Sequence, residues 1–139
     1  MLASYARQGD LEGVKRLLPS FDFESEVPLA LASQRGYLEI VKLLTVKYRH
    51  VCVSARCAAD NGHLHILKWQ RSKFRNDKEL WTDLLRPAVQ FGYMDIIEWS
   101  ADSYVLSEVL DIVTRLFLTE TPWRVEVFEW TMAYRSGNV

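Results

Sequence analysis

Four side chains in this 139-residue chain, Cys52, Cys57, His63 and His65, are of the types that bind metal and lie close together in sequence. Thiolate sulfur and imidazole nitrogen are the usual donors for zinc, which favours a C-x2-4-C pair matched by a second pair. Four residues separate Cys52 from Cys57, at the edge of that range. His65 occupies the slot that Glu39 and Asp95 hold in other copies, a solvent position, and no metal is expected. Carboxylates that could pair as general acid and base, Asp95 with Glu98 and Glu126 with Glu129, recur at a spacing of three. That is the spacing of a solvated helix face. Gly9 and Gly13 lack the Gly-Lys-Ser/Thr ending that cradles phosphate. No G-x-S-x-G element supplies a nucleophile. Neither a cofactor nor a small-molecule substrate is expected, and no catalysis. The stretch Lys68–Lys78 carries five cations, one acid and two aromatics. It suits contact with phosphates or an acidic protein, although cations at a helix end also simply complement the carbonyl dipole.

Composition narrows the class. Hydrophobic residues make up 49% of the chain, too many for a disordered segment, and a net charge of -1 argues against nucleic acid or an anionic membrane as the main partner. The charge is divided, at +4 over residues 1–79 and -5 over residues 80–139. Such a polarised surface could orient a partner. Two cysteines are too few for a disulfide framework and read as free thiols of a reducing compartment. No apolar run is long enough to span a bilayer. The N-terminus has no basic segment followed by an apolar one, so no signal peptide is expected. A monomer in the cytoplasm or nucleus is the expectation.

The elements that must position these residues repeat. Gly9, Gly36, Gly62 and Gly92 open the octets GDLEGVKR, GYLEIVKL, GHLHILKW and GYMDIIEW, and WRVEVFEW at Trp123–Trp130 is a fifth copy without the glycine. Steps of 27, 26, 30 and 31 residues separate them. Apolar residues at octet positions 3, 6 and 7 or 8 give each octet one buried helix face. The indoles of Trp69, Trp99 and Trp130, in the same register, are expected between adjacent second helices. A further helix precedes each octet, with Ala32, Ala58 and Ala88 four residues before the glycine, where a small side chain lets helices approach. The glycine supplies the left-handed backbone that ends the first helix. First helices are expected near 2–8, 28–34, 51–60, 80–90 and 105–118, and second helices near 11–18, 38–48, 64–75, 94–102 and 123–134. Pro87 should kink or shorten the fourth first helix.

The segment Val27–Leu44, VPLALASQRGYLEIVKLL, resembles an ankyrin repeat, and Ala58–Trp69 is similar to the same motif. The Lys-Trp ending resembles the shorter tryptophan-containing repeats of that family. The resemblance implies an all-α solenoid forming a single domain over 1–139. It would hold about five helix-turn-helix repeats (1–22, 23–48, 49–76, 77–103 and 104–139), with short connectors and degenerate terminal copies. Departures are the short repeat length, the missing glycine of the fifth copy, and Gln70, Ser100 and Thr131 where the family usually has Leu.

What the resemblance implies for function is a scaffold that binds another protein through a concave face of first helices and connectors. Carried over position by position, the recognition residues are Arg7, Gln8, Gln34, Arg35, Asp60, Asn61, Gln90 and Phe91 before the glycines. Connector positions add Glu26, Arg49 and His50, with Phe23, Glu24 and Glu79 beside them. Nucleic-acid or acidic-partner binding through Lys68–Lys78, a catalytic or metal-dependent protein, and a terminal piece of a longer array are the alternatives.

Overall fold

The computed structural model describes residues 2–20, 25–46, 52–74, 78–103, 106–120 and 125–135. These hold ten α-helices and no strand. In chain order they are α1 (Leu2–Gln8), α2 (Leu11–Leu17), α3 (Val27–Arg35), α4 (Leu38–Thr45), α5 (Cys52–Asp60), α6 (Leu64–Phe74), α7 (Lys78–Phe91), α8 (Met94–Ser103), α9 (Leu106–Glu120) and α10 (Val125–Arg135). A short 3-10 turn, Leu18–Ser20, follows α2. The helices fall where the repeat spacing put them, and the end of α4, three residues early, is the largest shift. Pro87 does not shorten α7, which runs through it to Phe91. Pro87 has no amide hydrogen, so α7 goes without the one bond that it would otherwise donate four residues back.

The chain divides into two compact units, Met1–Phe74 and Arg75–Val139. In the first, α3 packs between α1 and α5, each of these helices is closed by its own second helix, and α4 contacts both α2 and α6. Leu29, Ile40, Val41, Leu44, Ile66 and Leu67 form the centre of this unit, all with 2% exposure or less. Burying each such side chain contributes on the order of 1.5–3 kcal/mol. In the second unit α7 packs on α8 and α9, and α10 on α9. Its core is built on Trp81, Leu84, Leu85, Ile96, Ile97 and Val113.

The buried face of the second helices differs from the expected one. Octet positions 5 and 6 are buried in copies two to four, as Ile40-Val41, Ile66-Leu67 and Ile96-Ile97, and so is the residue after the octet. Trp69 and Trp99 at position 8 are only half-buried. Trp99 packs on Trp81 of the first helix α7, with ring centroids 5.6 Å apart. Residues four apart on a helix share a face, which is why positions 5 and 9 go inside together and position 8 lies on the flank in copies two to four, whereas Trp130 of the fifth copy is buried at 8% exposure. The departures from Leu at position 9 have partners of their own. Ser100 and Thr131 donate to the carbonyls four residues back, Ile96 and Val127, at 2.7 and 2.8 Å, and Gln70 reaches Ser54 on α5.

The first copy makes a paired exchange. Copies two to four have Ala four residues before the glycine and Ile at octet position 5, whereas the first has Tyr5 and Gly13. A Cβ at Gly13 would lie 2.5 Å from the Tyr5 ring. The large residue has moved from one helix to the other. Asp10 caps α2, its Oδ1 accepting from the Gly13 amide at 2.9 Å, an interaction of about 1 kcal/mol.

Candidate functional site

Four turns of one design present the residues assigned to recognition. Gly9, Gly36, Gly62 and Gly92 have φ between 73° and 82°. The amide after each glycine donates to the carbonyl four residues before it: Asp10 to Tyr5, Tyr37 to Ala32, His63 to Ala58 and Tyr93 to Ala88, all at 2.8–3.0 Å. The very next amide, at octet position 3, makes the second shared bond, back to the glycine carbonyl. A backbone held this way fixes the direction of the side chains on either side.

In the first unit, successive turns interlock. The Tyr37 ring covers Gly9, where a Cβ would lie 2.8 Å from it, and the His63 ring covers Gly36 at the same distance. His63 Nε2 lies 2.9 Å from the Gln34 carbonyl oxygen, and His65 Nε2 lies 2.9 Å from that of Gly36. A carbonyl only accepts, so both imidazoles carry a hydrogen on Nε2. His65, which the repeat register gave to solvent alone, is therefore a second bridge between turns. These contacts set the C-terminal ends of α1, α3 and α5 side by side.

Arg7 and Gln8, Gln34 and Arg35, and Asp60 and Asn61 stand on that edge, and every one is exposed. Asn61 also donates to the Cys57 carbonyl at 2.9 Å, closing the last turn of α5. Arg7 and Arg35 make no ion pair among the described residues. Gln90 and Phe91 end α7 in the second unit, both exposed, with Phe91 against Tyr93. Glu26 precedes α3, half-buried, and its carbonyl accepts from the Ala30 amide at 2.9 Å. Arg49, His50, Phe23 and Glu24 lie outside the described residues. Glu79 is exposed and borders an open cleft of about 400 Å³ with Thr82, Asp83 and Arg115. Of the basic stretch, Lys68 and Arg71 are exposed on α6 and Lys78 begins α7, while Arg75, Asn76 and Asp77 lie outside the described residues.

No protein-family model, curated protein or solved structure matches the chain.

Sequence reading by octets missed the outward stripe of the first helices. Val27, Ala30, Leu31 and Gln34 recur at spacings of three, one and three along α3, and Val53, Arg56, Cys57 and Asp60 do the same on α5. All eight are exposed or half-buried. Counting back from each glycine finds them. A second opening of about 400 Å³ lies at the turns, lined by Gly9, Leu11, Tyr37, Glu39 and His65 among others. Among the described residues, no group of three or more His, Cys, Asp or Glu side chains could hold a metal ion. Burial, and then the charge of Asp60, pushes the Cys57 thiol above its ordinary pKa, which keeps it protonated and weakens it as a nucleophile or ligand. No helix among the described residues is long and apolar enough to cross a membrane.

Proposed function

We propose that the chain is an ankyrin-type helical-repeat scaffold that binds another protein through the exposed ends of α1, α3 and α5, and that it catalyses nothing. One observation carries this reading: the residues one and two before each glycine are exposed in all four copies, whereas the alanine two to three residues earlier is fully buried in copies two to four. The structure is stiff where it turns and polar where it ends, which is the arrangement recognition needs. The recurring turn, with its φ and its two backbone bonds, supports a repeat architecture. Stacked first helices in the first unit support the solenoid. The acids at helical spacing go into exposed ion pairs, Glu12 with Lys15 at 3.5 Å and Glu39 with Lys42 at 3.3 Å, which fits a solvated face. Free thiols at Cys52 and Cys57 fit the cytoplasm or nucleus.

Affinity purification from a lysate tests the reading, with wild type, Arg35→Glu/Asn61→Lys and the control Lys15→Glu as baits. A protein retained by wild type and control but lost from the double variant supports it. Equal recovery on all three baits refutes it, and nuclease-sensitive recovery transfers the reading to Lys68–Lys78. Steep loss of affinity with salt would mark phosphate contacts.

A further inference from the structure

We propose that α10 of one copy of this chain docks on the outward face of α1, α3 and α5 of a second copy. Four large apolar side chains of the second unit are exposed in large part: Leu118 at 66%, Val125 at 60%, Phe128 at 49% and Met132 at 50%. Val125, Phe128 and Met132 are spaced by three and four, so they form one ridge along α10. Glu126 and Glu129, also exposed, border that ridge on one side. An apolar ridge of this kind marks an interaction surface.

The carboxylates select what covers it. Two α10 helices laid against each other would bring four carboxylates into one contact, and like charges there are costly. The complementary surface is apolar with a basic border. The first unit offers one: Val27 and Val53 are exposed and Leu31 half-buried on the outward stripe, where the exposed Arg7, Arg35 and Arg56 outnumber Asp60, and Arg7 and Arg35 are in no ion pair among the described residues. The division of charge, +4 against -5, has the same sense. A helix that presents apolar anchors at i, i+3 and i+7 is a familiar occupant of such a face, and α10 is apolar on this outer side as well as on its buried one, where Val127 and Trp130 lie. The contact joins different surfaces of the two copies, so each copy keeps one surface free and association continues beyond a pair unless the ring closes. The proposal stands independently of a foreign partner, although a second copy seated there would compete with one.

Sedimentation of the purified full chain tests it. Mass should rise with concentration, and association should weaken between about 0.1 M and about 1 M salt, where the screening length falls from roughly 10 Å to 3 Å. Arg7→Glu/Arg35→Glu and Glu126→Lys/Glu129→Lys, each checked for helix content, should each weaken self-association more than about tenfold. An equal mixture of the two should associate again, because the first retains a wild-type α10 and the second a wild-type face. Phe128→Asp should abolish association at either salt. A wild-type chain that stays monomeric up to about 1 mM overturns the proposal. So does an Arg7→Glu/Arg35→Glu chain that associates as wild type does, which would place α10 against α10, or a mixture that stays monomeric.

Discussion

The side-chain amide of Gln70 donates to the Ser54 hydroxyl at 2.7 Å, and both residues are fully buried. Ser54 bonds onward to Ser33, which donates to the Leu29 carbonyl at 2.8 Å. The chain of donors runs out at Gln70 itself, whose Oε1 is buried with no partner among the described residues. The same slot in the preceding copy holds Leu44, fully buried. Gln70→Leu should therefore be neutral or stabilise by up to about 1 kcal/mol, since removing an unpaired carbonyl offsets the lost bond. Ser54→Ala should cost roughly 1–3 kcal/mol, because it strands the Gln70 amide. Urea midpoints of the two variants decide it; a large loss on Gln70→Leu would mean that Oε1 is satisfied.

Gly36 combines a φ of 82° with an imidazole against its open side. Gly36→Ala must place a methyl in left-handed backbone, at about 1–3 kcal/mol, and also push the His63 ring away. The two costs separate in a double-mutant cycle with His63→Ala, in which Gly36→Ala should become cheaper. An unchanged cost would assign the whole effect to the backbone.

Trp81 is the largest side chain fully enclosed in the second unit. Trp81→Ala should cost about 3–5 kcal/mol, and Trp69→Ala clearly less because Trp69 is half-exposed. Glu39→Ala, which breaks only an exposed pair, should change stability by less than about 0.5 kcal/mol. Thermal or urea unfolding of the three variants ranks them. Equal losses for the two tryptophans would contradict the burial pattern.

The Cys57 thiol titrates above its ordinary value in the folded chain. Between the unfolded and folded pKa values the unfolded state binds fewer protons, so stability falls as pH rises through that window and is unaffected by this group below it. Cys57→Ala should remove that alkaline fall. Stability of the two chains measured on either side of the thiol range checks it, and parallel curves would show that the shift is absent.

Much of the helical pattern could be read from four glycines and an octet, because a left-handed residue followed by period-3.6 apolar spacing admits few alternatives. The exchange of Tyr5 and Gly13 for Ala and Ile is likewise visible on aligning copies. Trp81 was not, since it lies outside the octet and nothing local distinguishes a tryptophan that is buried from one on a flank. The placement of Trp99 follows from it. The bridging role of His65 was hidden because its acceptor is a backbone carbonyl 29 residues away, and main chain leaves no mark in sequence. The candidate edge was legible as positions, whereas the lack of ion pairs at Arg7 and Arg35 required the neighbouring helices.

Tyr37 covers Gly9, and His63 covers Gly36; in both cases the later copy roofs the earlier. The first unit thereby acquires a polarity that its similar copies would not suggest. Removing the first copy from its N-terminal side leaves Gly36 roofed by His63 and, of these turn contacts, idles the ring of Tyr37 alone. Removing the third copy from the other side bares Gly36 and breaks both histidine bridges. Nested deletions from the two ends should therefore be unequal, with the unit tolerating loss of its beginning better than loss of its end.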